Sequence, residues 1–130
     1  MINPVIDLMN ESYLHKRWYI EDIYNIIQPP IDLIQFVYVV ENGKLVGLGT
    51  WASMNDESLD AFLTGSRKLV PSDFKNGPHL VLVDVIAPHG HGRQIAVKMR
   101  QKLIELGHWG KKISYIRYQN GKRVPKESVL

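Results

Sequence analysis

The chain has 130 residues, 45% of them hydrophobic, and no cysteine. That suits one compact domain over 1–130 and excludes disulfides, thiolate metal sites and a cysteine nucleophile. Its 16 Lys and Arg against 13 Asp and Glu are too weak an imbalance to indicate nucleic acid, and suit an acidic protein partner equally well.

Asp7 and Asn10 break the first apolar run, and no basic segment precedes it, so no signal peptide is expected. No run is apolar for long enough to span a bilayer. A cytoplasmic location is the expectation. Asn3-Pro4 reads as a helix start, with Ile6, Met9 and Tyr13 following at helical spacing. Ile20, Ile23, Tyr24 and Ile27 predict a second helix that stops before Pro29-Pro30. The stretch SYLHKRW, residues 12 to 18, then lies at the junction of two short helices, where a side chain can turn into a shared cleft. On a purely structural reading, His15 is a surface histidine, Trp18 a core anchor and Ser12 a polar residue at a helix end.

QFVYVVE and KLVGLGTWAS are two strands joined by Asn42-Gly43, a hairpin signal. MNDESLDAFLTG can hold a short helix, and PSDFKNGP reads as loop. HLVLVDVIAP is the most apolar strand and is expected to be central, with Asp84 inside it. HGHG leads into a helix from about 93 to 106, stopped by Gly107. KKISYIRY is the last predicted strand, and from Gln119 onward the chain is a polar tail. This order predicts an α/β (α+β) fold, a mixed central sheet flanked by helices. A glycine-rich turn between a central strand and a helix resembles the GNAT acetyltransferase fold, a likeness of fold that does not itself carry a function.

Asp84 is the sharpest anomaly, because a carboxylate among Val, Leu and Ile is costly unless partnered. It either bonds backbone groups or an arginine, or meets a histidine whose tautomer it fixes and whose imidazolium it stabilises. His15 is the candidate partner. HGHGR has three readings: a weak metal site without a third ligand, a phosphate cradle formed by Gly90, Gly92 and a helix N-terminus near Arg93, and a tight turn that needs no ligand. No metal is expected. The GNAT coenzyme A loop has Arg or Gln where APHGHG has Ala87. On the helix that follows, Ile95, Met99, Leu103 and Leu106 form the expected core face. Arg93, Val97, Arg100 and Ile104 form a mixed stripe, suited either to solvated arginines or to a protein contact, a homodimer included.

Several of these pieces resemble one family, the toxin-activating lysine acyltransferases that accompany RTX protein toxins. The likeness covers about Tyr13 to Leu106: a histidine ahead of a tryptophan, PPI before the hairpin, TWA closing it, and Asp-x-Ile-Ala-Pro before the glycine loop. The resemblance implies a GNAT-like enzyme that moves a fatty acyl chain from acyl carrier protein to internal lysines of a protoxin. It implies no coenzyme A, in line with Ala87. It places the essential histidine at His15, the aspartate at Asp84 and a supporting serine at Ser12. His15 would then be the base that deprotonates lysine and Asp84 its orienting partner, or an acyl-enzyme on His15 or Ser12 would intervene. Leu14 and Trp18 are expected to anchor the helix junction without His15. The chain is short beside familiar members, and its tail after Tyr118 has no firm match. The rival readings are an acetyl-coenzyme A-dependent N-acetyltransferase and a non-catalytic GNAT-shaped binding module.

Overall fold

A computed structural model describes residues 2–130. Its centre is a five-stranded sheet in the order β1-β2-β3-β4-β5. The strands are β1 (Phe36–Glu41), β2 (Lys44–Met54), β3 (His79–Ile86), β4 (Lys112–Gln119) and β5 (Lys122–Val129). All neighbours run antiparallel except β3 and β4, which are parallel and joined by the crossover helix α5 (Gly92–Glu105). The mixed sheet with flanking helices is the predicted class, and it is consistent with a GNAT-like fold.

α5 covers one face of the sheet through Ile95, Met99 and Leu103, which pack with Val37, Trp51 and Leu80. Gly49 lets it come close: a Cβ there would lie 2.5 Å from Ile95 Cγ2. Leu106, expected on this core face, is exposed at the helix end. The other face is covered by α1 (Ile2–Glu11), α2 (Ile20–Asp22), a π-helical segment (Ile23–Ile27) and α3 (Gln28–Asp32), together with α4 (Asp56–Thr64). α1 buries Val5, Leu8 and Met9, so its inward face is rotated from the predicted one and Ile6 and Tyr13 face solvent.

Two expectations are corrected. The second helix does not stop before Pro29-Pro30. The Gln28 N–H reaches the Ile23 carbonyl in a widened π turn, and both prolines then occupy the first turn of α3, where a missing N–H leaves no bond unmade. The polar tail is not a tail. Asn120-Gly121 repeats the left-handed pair seen at Asn42-Gly43 and folds β5 back on β4 in eight register pairs. Among the described residues, no helix is long and apolar enough to cross a membrane.

An ion pair between exposed Arg67 and the buried carboxylate of Asp73 fixes the loop beside α4. Asp73 is 2% exposed and takes both Arg67 Nη1 and Nη2, the Ser58 hydroxyl and the Val70 N–H. The Arg67 guanidinium, with Ser58 and Val70 assisting, holds its carboxyl down from an ordinary 3.8 to about 2. A depressed carboxylate stabilises the fold above its unfolded value and loses that contribution as pH falls through the folded one. Asp73→Asn is therefore expected to cost about 2 kcal/mol at neutral pH and much less near pH 2. Urea unfolding at both pH values checks it; an equal cost at both would contradict the ion pair.

Candidate active site

β3 carries the decisive irregularity. Leu80 and Leu82 pack toward α5, and Val81 and Val83 pack toward α4. Strict alternation would send Asp84 to the α5 face with Leu80 and Leu82. Instead Thr50 pairs with Asp84 and Trp51 with Leu82, leaving Val83 without a partner on β2. This β-bulge inverts the alternation. Beyond it, Val85 faces α5, while Ile86 packs against the N-terminal helices and Asp84 points the same way.

His15 waits on that side. The turn between α1 and α2 is closed by the His15 and Lys16 N–H groups on the Ser12 carbonyl and by the Trp18 N–H on the His15 carbonyl. It presents His15 inward at 5% exposure. Both Asp84 carboxylate oxygens lie 2.9 Å from His15 Nε2, and Ser12 Oγ lies 2.6 Å from Nδ1. An ionised Asp84 only accepts, so Nε2–H donates to it. Nδ1 is then the free acceptor and takes the Ser12 hydroxyl proton. The result is a serine–histidine–aspartate relay with both ring nitrogens engaged. His15 is thus a buried relay member and not a surface residue.

Ser12, His15 and Asp84 are therefore brought together. The Trp18 ring, 4.9 Å from the imidazole centroid, packs on the core and also walls the site. Leu14 does not anchor the junction, being 64% exposed.

A cavity of about 750 Å³ opens beside the relay. It exists because β3 and β4 pair only at Leu80–Ile113 and Val81–Ser114 and then diverge. Leu82, Val83, Asp84 and Val85 line it from β3, and Tyr115, Ile116 and Tyr118 from β4. No residue of α5 lines the cavity; away from the strands its wall comes from the His15 turn, from Ile26 and from α4 with the loop after it. Phe62, Leu69 and Ile26 make its wall apolar, and Arg67, Lys68 and Arg123 bring positive charge to it. Lys68 pairs with Asp22 and Arg67 with Asp73; Arg123 Nη2 donates to the Phe62 carbonyl at the end of α4. Arg123 lies on β5, in the segment whose sequence reads as a polar tail.

Gly90, Gly92 and Arg93 stand apart from this cavity, and none of them lines it. Gly90 has φ +92° in the turn after β3, Gly92 begins α5, and Arg93 is exposed. The flanking histidines are engaged elsewhere: His89 Nε2 lies 3.1 Å from Glu11 and His91 Nε2 2.9 Å from Glu41. Among the described residues, no three His, Cys, Asp or Glu side chains gather as metal ligands. Arg93, Val97 and Arg100 are exposed on α5, on the side of the sheet away from His15, with Arg100 5.9 Å from the Trp109 ring centroid.

Among known families, the RTX toxin acyltransferase family matches residues 1–127. The chain is 32% identical over 118 residues to the lysine-acyltransferase RtxC of Vibrio cholerae serotype O1, covering 90% of this chain and 76% of that protein. It is 28% identical over 102 residues to the leukotoxin-activating lysine-acyltransferase LktC serotype A1 of Mannheimia haemolytica, covering 78% and 61%. With the RTX-II toxin-activating lysine-acyltransferase ApxIIC of Actinobacillus pleuropneumoniae the identity is 25% over 102 residues, covering 78% and 64%. The chain thus spans about three quarters of the first relative and less than two thirds of the other two.

Proposed function

We propose that this chain, which belongs to the RTX toxin acyltransferase family, moves a fatty acyl group from acyl carrier protein to internal lysines of an RTX-type protoxin in the cytoplasm. The observation that carries this reading is the Ser12–His15–Asp84 relay, whose His15 and Asp84 line an apolar cavity between splayed strands. The cavity has room for an alkyl chain, and the relay has the proton-handling groups that aminolysis of a thioester needs.

The lysine ammonium gives one proton through the Ser12 hydroxyl to His15 Nδ1, because Nε2 is held by Asp84. The freed amine attacks the thioester carbonyl; a C–N bond forms and the C–S bond breaks. His15 returns its proton to the leaving thiolate, and the second proton of the ammonium passes to solvent. Asp84 stabilises the imidazolium in between. Gly90, Gly92 and Arg93 hold the base of the donor arm at the start of α5. No coenzyme A takes part, since Ala87 stands where the coenzyme A loop has Arg or Gln.

The test is to mix the protein with acylated carrier protein and an RTX protoxin, then map acyl-lysine by mass spectrometry. Acyl-lysine formed from carrier and only poorly from acyl-coenzyme A supports the reading; tight, saturable coenzyme A binding would favour an ordinary acetyltransferase. Acyl carrier protein is acidic, so Arg93→Glu with Arg100→Glu is expected to raise the KM for carrier with the fold intact, and added salt to slow the unaltered enzyme. Unchanged kinetics would assign the stripe to plain surface or to a homodimer contact.

A further inference from the structure

Thr50 is 1% exposed, and its hydroxyl has no hydrogen-bond partner among the described residues. A buried hydroxyl left unmade is costly, and a Val would fill the same space without that cost. Its position explains why a hydroxyl would be kept. Thr50 is the direct register partner of Asp84. Two residues along, Leu48 pairs with Ile86, and both pack against the N-terminal helices. With no irregularity between these pairs, Thr50 and Asp84 share that face, and side chains directly opposite across antiparallel strands have Cβ atoms about 5 Å apart.

Asp84 has an unmet need of its own. Both its oxygens lean on the single Nε2–H of His15, and the described residues supply its side chain no other donor. A carboxylate accepts at about four sites. An unpaired donor therefore lies directly across from an under-supplied acceptor.

We propose that Thr50 is a positioning residue for the acyl transfer: rotation about its χ1 carries the hydroxyl to one Asp84 oxygen, leaving the other for His15 Nε2–H. Thr50 lines no part of the cavity and touches no substrate; it acts through Asp84 alone. The inference rests on the relay described above. By occupying one oxygen, Thr50 leaves a single oxygen to Nε2–H, which fixes the angle of the ring and so the aim of Nδ1 at Ser12.

Two measurements on Thr50→Val and Thr50→Ser test it. The first is the low-field proton resonance of the His15 ring N–H, which needs no substrate. Without the threonine donor the carboxylate bonds the ring more strongly, so in Thr50→Val the resonance is expected further downfield, and in Thr50→Ser near its original place. The second is kinetic: Thr50→Val should lower kcat about tenfold or more, the effect of losing one hydrogen bond to a charged group, with KM for both substrates unchanged and Thr50→Ser recovering most of the rate. A Thr50→Val protein that folds, keeps the resonance in place and turns over at the normal rate overturns the proposal. If Val does not fold, Thr50→Ala against Thr50→Ser gives the same comparison. Absence of acylation by the unaltered protein would refute the proposed function instead, while the resonance still decides the Thr50–Asp84 bond.

Discussion

Asp84→Asn is expected to lower lysine acylation by about 10²–10⁴-fold with the melting temperature little changed. The amide keeps the shape of the carboxylate but carries no charge to stabilise an imidazolium. When its NH₂ group turns to Nε2, that nitrogen must accept, and the ring proton moves to Nδ1. Nδ1–H can no longer take the Ser12 proton, and the relay is blocked at the atom 2.6 Å from Ser12 Oγ. Initial rates with acylated carrier and protoxin, set beside thermal unfolding, decide the matter. A normal rate would remove Asp84 from the chemistry.

His15→Ala is the second large effect, and here structure and reaction are coupled. Acylation should fall by about 10²–10⁴-fold or more, the usual contribution of a positioned base. The fold should also lose about 1–3 kcal/mol, because Ser12 Oγ and the Asp84 carboxylate lose their partner and Trp18 its ring contact. Leu14 points outward and does not compensate. The informative comparison is between the two variants. If Asp84→Asn is as stable as the unaltered chain yet as inactive as His15→Ala, the loss of activity is chemical. If both lose stability and whatever stays folded acylates normally, the pair is a structural contact.

The sequence made some of this legible because the signals were local. An aspartate in LVLVDVIA, a Gly-rich turn before a helix and an Asn-Gly between two apolar strands each announce themselves within a few residues. What stayed hidden was non-local. Nothing in the text of β3 marks Val83 as the unpaired residue; the bulge exists only against β2. β5 carried the same Asn-Gly signal as the first hairpin, but Lys122, Arg123 and Glu127 lie on an exposed edge strand that lacks apolar alternation. Pro29-Pro30 reads as a stop because a π turn upstream of them has no sequence mark. Trp18 reads as core, which it is, but its second part as a wall of the cavity has no mark in one dimension.

The bulge at Val83 has one more consequence, for how this protein can change. Whether the carboxylate reaches His15 is a matter of parity: with Val83 bulged out, Asp84 takes the place opposite Thr50 that plain alternation gives to the residue directly after Leu82. Deleting Val83 would remove the bulge and leave the aspartate on the His15 side, whereas drawing Val83 into a regular pair with Thr50 would turn it to the α5 side and leave a histidine with nothing to orient it. The strand therefore depends on where its pairing slips more than on which apolar side chains fill it.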